Sequence, residues 1–280
     1  MVETKLKRNL LFILAVAITV AMILPFYWAA SLSIRSPQEA YTVTGLAVPV
    51  VQYQPTLDNW RTELSTGETQ RALANSCIIA AGAALAALLL GTPAAYALAR
   101  FQFNHPSNHS LTLWFLSQRI LPPVATAIPF YLMMRYMKLL DTRTALIILN
   151  ATFSLPLAVV IMRQAFLDLP VELEEAARVD GVGHFGSFVR ICLPLAAPSL
   201  MATALIVIAF SWNEFLFALM IGFRNAKVIP VHMAGAVTTR GVEFWYLSVR
   251  ALMAMLPPVV LALLAQRYLV RGLTFGALKG

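Results

Sequence analysis

The sequence predicts an all-α integral membrane protein with six transmembrane helices and a polar two-helix loop between the fourth and the fifth. Three observations predict it. First, 59% of the 280 residues are hydrophobic and 12% charged, with a mean hydropathy of +0.73, whereas soluble domains are about half apolar and about a quarter charged. Second, apolar runs recur at the length of about 20 residues that a helix needs to cross a bilayer, without the alternation of an outer-membrane barrel. Third, the interval 175–194 stays polar between two such runs. With its lead-in from Arg163 it holds five of the chain's thirteen carboxylates: Asp168, Glu172, Glu174, Glu175 and Asp180. The chain, 1–280, reads as a single transmembrane domain.

Lys5, Lys7 and Arg8 precede the first span, 9–31. That run exceeds the roughly 7–15 residues of a signal-peptide core, so an uncleaved span is expected. The interval 33–71 carries Pro37, Pro49 and Pro55 and is expected to be a loop with short amphipathic pieces. The second span, 73–99, is rich in alanine and glycine, and small residues let membrane helices approach closely. The third, 111–134, is irregular, because Arg119 lies inside it and Pro122, Pro123 and Pro129 follow; prolines kink membrane helices. The fourth, 144–162, carries Asn150, and the polar loop fills 163–197. The fifth, 198–222, holds Ser211-Trp212-Asn213-Glu214, and the sixth, 248–269, leaves a tail at 270–280. Six crossings put both termini and the polar loop on one side of the membrane. Lysine and arginine divide evenly between the two sides, so their usual cytoplasmic excess leaves the orientation open. Only the N-terminal cluster favours cytoplasmic termini.

Several function classes drop out. The net charge of +8 is spread over nearly every loop, which fits solvent and headgroups rather than nucleic acid. Cys77 and Cys192 fall on opposite membrane faces, which argues against a disulfide, and Cys192 is the expected thiol reporter of the loop's side. His105, His109, His184 and His232 form no metal-binding spacing. A membrane enzyme would need a metal motif, a nucleophile elbow or a phosphate-binding loop, and the sequence has none.

The polar loop itself reads as two short helices at a glycine corner. Pro170 suits a helix's first turn, and Glu172, Glu174 and Glu175 complement the positive end of its dipole. Gly181 can take the left-handed conformation that ends a helix. A second helix is expected from about Val182, with Phe185, Phe188, Val189 and Cys192 on one amphipathic face, stopped by Pro194. Helices lying on headgroups are usually basic. This loop is acidic, which favours a surface that enters a partner protein's cleft.

Glu175-Ala176-Ala177, Asp180-Gly181 and Ile191-x-Leu193-Pro194 resemble the EAA loop of binding-protein-dependent ABC transporter permeases. Asn75-Ser76, the run Ala95-Tyr96-Ala97-Leu98-Ala99-Arg100, Trp212-Asn213-Glu214-Phe215 and the glycine-containing tail resemble the carbohydrate-importer branch, in particular the maltose-type second permease. Val182 departs from the alanine the family often has there. The resemblance implies a non-catalytic, multi-pass import permease of the bacterial inner membrane, with loop and termini cytoplasmic. It implies as partners a second homologous permease, two ATPase subunits that bind ATP-Mg, an extracytoplasmic solute-binding protein and a small carbohydrate-like substrate. No cofactor is expected on this chain. Glu175, Ala176, Ala177, Asp180 and Gly181 would dock to the ATPase subunit, and Gly272, Lys279 and Gly280 would form a second contact with it.

An ionisable group inside a span costs about 2.5–3.5 kcal/mol on insertion scales and is read as functional by default. Arg119 and Glu214 are the two cases, and their pairing is one hypothesis. With Asn213, Asn150, Ser117 and Gln118 they could hydrogen-bond a polyhydroxylated solute along the pathway, while Trp212 or Phe215 stacks on a sugar ring. The competing reading is hydrogen bonding between helices, and for Trp212 packing or lipid contact is the stronger one. An ion-gradient-driven transporter or channel, the alternative, should show internal repeats or several buried acids; the sequence has no clear repeat and one intramembrane acid.

Overall fold

The computed structural model describes residues 5–238 and 241–274, nearly all of whose regular structure is helical. That is what apolar runs require, since a helix satisfies its own backbone groups where lipid offers no partner. The order begins α1 (Lys5–Ser33), α2 (Pro37–Thr42), α3 (Asp58–Ser65), α4 (Gly67–Arg100), α5 (Asn108–Ser117), α6 (Pro123–Tyr136) and α7 (Arg143–Leu167). Next come α8 (Glu172–Val179), α9 (His184–Ser187), a π-helical turn Phe188–Cys192, α10 (Leu193–Leu195), α11 (Ala197–Trp212) and α12 (Leu216–Ile221). The order ends with α13 (Ile229–Ala234), the short antiparallel strands β1 (Val237–Thr238) and β2 (Gly241–Val242), and α14 (Phe244–Thr274). Among the described residues, four helices are long and apolar enough to cross a membrane, in α1, α4, α7 and α14. The pair His184–Leu195 and Ala197–Trp212, bent by 74°, raises this to five if taken as one span.

The chain forms two compact units, one from Met1–Gln70 with His232–Leu256 and one from Arg71–Val231 with Pro257–Gly280. In the first, α2 starts at a capping box: Glu39 N–H donates to the Ser36 hydroxyl, and Ser36 N–H donates to the Glu39 carboxylate. This satisfies donors that a helix start leaves bare. Asn59 of α3 donates to the carbonyls of Ser33 and Arg35 at 3.0 and 2.7 Å, fastening α3 to the end of α1. Beneath α3 lies a buried polar cluster. Arg250 donates to both oxygens of Glu63 at 3.0 and 2.7 Å, Thr69 donates to Glu63 at 2.9 Å, and the His232 Nε2 lies 2.8 Å from the Thr69 hydroxyl. Burial works against the Glu63 charge, but its bonds with His232, Arg250 and Thr69 outweigh that and bring its carboxyl down to about 2.

The second unit is organised on α7. Around its first half, Ala145, Leu146 and Leu149 pack with Phe217, Ala218 and Ile221 of α12 and Met134 of α6. Around its second half, Val159, Met162 and Phe166 pack with Ala95, Tyr96 and Leu98 of α4 and with Phe188, Cys192 and Ala196. The approach of α4 to α7 is close: a Cβ on Gly91 would stand 3.2 Å from the Ala158 Cβ. Asn75, at the apolar end of the resemblance, becomes a tie. Its side chain donates to the carbonyls of Asn225 and Lys227 at 2.8 Å and accepts from Arg143 at 2.6 Å.

Several boundaries differ from those the sequence suggested. The third span, 111–134, is two helices, α5 and α6, separated by residues 118–122. Consecutive prolines at 122 and 123 bias the residues before them away from helical backbone, and Arg119 and Ile120 close three-residue turns instead. The fifth, 198–222, breaks at 213–215 between α11 and α12. Elsewhere the helices overrun the apolar runs: α4 begins at Gly67, α7 continues to Leu167 inside the loop 163–197, and α14 runs on to Thr274 through Gly272 in the tail. Hydropathy marks where lipid ends, whereas helical hydrogen bonding continues wherever nothing breaks it.

Candidate functional site

Two places in the second unit gather the polar residues that the sequence singled out. The first is the loop. The last turn of α7 is capped by Asp168, and α8 follows with Glu172, Glu174 and Glu175 in its first turn. At its other end Gly181 N–H donates to the Arg178 carbonyl at 3.0 Å and Val182 N–H to the Ala177 carbonyl at 2.9 Å. That pair of bonds is a Schellman ending, with Gly181 left-handed at φ +81°. Val182 and Gly183 are used up in this corner, so the next helix starts at His184 and not at Val182.

The motif residues divide by face. Glu175, Ala176, Asp180 and Gly181 are exposed, with Val179 and Phe185 standing out beside the corner, while Ala177 is buried. The amphipathic face expected for the second helix does not form as one stripe: Phe188 and Cys192 are buried, whereas Phe185 and Val189 are exposed. A π-turn, in which Leu193 N–H donates to the Phe188 carbonyl five residues back, shifts the register that a 3.6-residue period presumes. Cys192, 1% exposed, is therefore no surface reporter.

Sequence reasoning missed what holds this loop to the helices. Glu174, one residue before the motif, is buried with Ala177. Its carboxylate accepts from the Tyr96 hydroxyl and from Arg100 Nε, both of α4. Arg100 Nη2 also donates to the Leu169 carbonyl at 3.0 Å. Burial disfavours the Glu174 charge, but the bonds from Tyr96 and Arg100 prevail and hold its carboxyl below the usual range. The signal was present: a basic residue ends an apolar helix at the end where an acidic loop begins.

The second place is a cavity of about 260 Å³ lined by residues of α6, α7, α11, α12 and the two breaks. It brings together Arg119, Asn150 and Glu214, with Gln118 and Ser154 beside them. Arg119 and Glu214 share no ion pair among the described residues. Arg119 Nη1 donates to the Phe153 carbonyl at 3.2 Å, and its guanidinium carbon stands 5.0 Å from the Phe210 ring centre. Glu214 accepts from the N–H groups of Phe217 and Ala218 at 2.8 and 3.0 Å. The carboxylate thus caps the start of α12, the end of a helix dipole that favours negative charge. Asn150 donates to the Leu146 carbonyl in its own helix at 2.8 Å.

Asn213 and Trp212 do not line this cavity. Asn213 donates its amide to the Ala209 carbonyl at 2.8 Å, and Trp212 is buried beside a separate apolar cavity of about 190 Å³. The aromatic walls of the first cavity are instead Phe153, Phe210 and Phe217. Phe153 lies three positions from Asn150 on α7, the spacing that places residues on one helix face, whereas Phe210 and Phe217 come from α11 and α12 on either side of the break that holds Glu214. Of the tail residues read as a second docking contact, Gly272 lies in the last turns of α14, while Lys279 and Gly280 lie outside the described residues.

Comparison with known proteins gives a consistent result. Residues 87–275 match the family of binding-protein-dependent transport system inner membrane components. The chain is 34% identical over 282 residues to a trehalose/maltose transport system permease protein of Thermococcus litoralis, covering 99% of each. It is 33% identical to a trehalose transport system permease protein of Mycobacterium tuberculosis, covering 92% of this chain and 93% of that one. It is 30% identical to a melibiose/raffinose/stachyose import permease protein of Bacillus subtilis, covering 99% of each. Among solved structures, a bacterial ABC transporter involved in import of the acidic polysaccharide alginate superposes with a TM-score of 0.80 at 20% identity, over 96% of this chain and 99% of that chain. That likeness is one of fold.

Proposed function

The chain belongs to the family of binding-protein-dependent transport system inner membrane components, and on that premise we propose that it forms, with a second permease, the path of a sugar, glycoside or polyol-like solute into the cell. The observation that carries this reading is its end-to-end likeness to permeases named for trehalose, maltose and melibiose. As a member of that family the chain is a multi-pass membrane component and not an enzyme. In this reading ATP-Mg is bound and hydrolysed by two separate ATPase subunits, and a solute-binding protein delivers the cargo.

The topology follows the same reading. Helices α1, α4, α7 and α14 each cross the membrane, α5 with α6 makes the third crossing, and α11 with α12 makes the fifth. The loop from Asp168 onward and both termini face the cytoplasm. There Glu175, Ala176, Asp180 and Gly181 meet the ATPase subunit, Ala177 of the same motif is buried behind them, and the tail around Gly272 gives a second contact. Arg119, Asn150 and Glu214 face the pathway through the cavity, whose phenylalanine walls suit the apolar face of a sugar ring and whose amides and guanidinium suit its hydroxyls.

Val179 reports the orientation because it is 88% exposed. Expressed without its partners and in a Cys77→Ser background, the Val179→Cys variant is expected to react with an impermeant thiol reagent in inside-out vesicles and to be silent in intact cells. Labelling of intact cells would contradict the topology. Function is tested in proteoliposomes holding the full complex and the solute-binding protein. Trehalose and maltose uptake that requires ATP supports the reading. Uptake that runs on an ion gradient without ATP replaces it with the secondary-transporter alternative.

A further inference from the structure

We propose that Glu174 is a positioning residue that ties the loop helix α8 to the end of α4, so that a displacement imposed on the exposed face of α8 moves α4 with it. This rests on reading the loop as the contact to an ATPase subunit, but it assigns Glu174 a role distinct from docking. The docking residues Glu175, Ala176 and Asp180 look outward. Glu174 is 5% exposed and looks inward.

The tie has three strands. Both carboxylate oxygens are taken by α4, one by the Tyr96 hydroxyl and one by Arg100 Nε. Arg100 then reaches past Glu174 to the Leu169 carbonyl, so that it grips the loop at its entry as well as at its helix. The Tyr96 ring packs 5.5 Å from Phe166 at the end of α7 and 4.9 Å from Phe188 in the π-turn. One turn of α4 thereby holds the entry, the helix and the exit of the loop. A charge-assisted bond in a buried site is strong and directional, whereas the other inward residue of α8, Ala177, offers only a methyl group. Without Glu174, α8 could slide over α4. With it, the two move as one body, and the discrete packing of such interfaces carries small shifts over distance.

The native Cys77 supplies the readout, since it lies on α4 and is exposed while Cys192 is buried. The complex is assembled with cysteine-free partner subunits, labelled at Cys77 with an environment-sensitive fluorophore, and treated with ATP-Mg and vanadate. The wild type is expected to show a nucleotide-dependent change in emission. In Glu174→Ala and Arg100→Ala the ATPase subunit should still co-purify, while the nucleotide-dependent Cys77 response is lost. Glu174→Gln, which still accepts from Tyr96, should fall between, and the exchange Glu174→Arg with Arg100→Glu should recover part of the response.

An unchanged Cys77 response in assembled Glu174→Ala overturns the proposal, as does a wild type whose Cys77 does not respond. If Glu174→Ala fails to assemble, Glu174→Gln decides in the same way. The docking reading is tested apart, by whether Glu175→Lys releases the ATPase subunit.

Discussion

Reconstituted with its partner subunits, the Glu175→Lys variant is expected to insert normally and to lose ATPase stimulation by the loaded solute-binding protein. The fold gives little reason for it to fail otherwise. The Glu175 side chain is 62% exposed, and its ion pair to Arg178 at 3.7 Å is a surface pair of the kind worth about 0–1 kcal/mol. Lost coupling would therefore come from the contact and not from folding. Gly181 allows a graded version of the same experiment. No atom lies within 4 Å of a Cβ built on it, so Gly181→Ala adds no clash and charges only for the left-handed backbone, about 1–2 kcal/mol. Gly181→Asn should cost less, because asparagine tolerates that region. Gly181→Pro should cost most, since it cannot adopt φ +81° and removes the N–H that bonds to Arg178. Stimulation should rank glycine, asparagine, alanine, proline. A flat series with normal stimulation would sink the docking assignment.

The Arg250→Ala variant is expected to lower the stability of the first unit by about 3–5 kcal/mol, because it strands a buried charge. Glu63 keeps only 4% of its side chain exposed and depends on Arg250 for two bonds. The pH dependence has a definite sign. The Glu63 carboxyl is drawn from 4.5 to about 2 in the folded chain. Its contribution, on the order of 3 kcal/mol, is complete above pH 4.5 and fades as the pH falls towards 2. His232 and Glu68 face the same cluster. Thermal unfolding of the detergent-solubilised protein, stepped down from pH 5, should show the wild-type midpoint falling through this window. Arg250→Ala should start lower and fall less. A wild-type midpoint that does not move between pH 5 and pH 2.5 would falsify the assignment of Glu63 as an ionised anchor.

The loop shows how far a sequence can be read. Its glycine corner was legible, because Gly181 follows a helix-forming run and only glycine takes φ +81° without strain. Its second helix was legible in existence but not in register, because the π-turn at Phe188–Cys192 breaks the period on which face assignments rest. Glu174 looked like one more acid in the first turn of a helix. Its partners lie some 74 and 78 positions away in the chain, and pairing over that distance is a product of packing that local pattern does not encode.

The cavity repeats the point. Arg119 and Glu214 stood out in the sequence because charge in an apolar run is costly, and the fold does place both on one cavity. Their separate partners, a carbonyl with a ring for one and two backbone N–H groups for the other, follow from breaks in two spans. The prolines at 122 and 123 announced the first break. Nothing local announced the second.

By itself the sequence determined the class of molecule, the positions of its apolar runs and the outward motif of its loop, since these depend on transfer free energy and on backbone preference residue by residue. The tertiary structure alone decided which acid faces inward, which aromatic rings wall the cavity and where the helices break and bend. Those depend on which distant side chains meet, and burial makes each such meeting obligatory once the helices have packed.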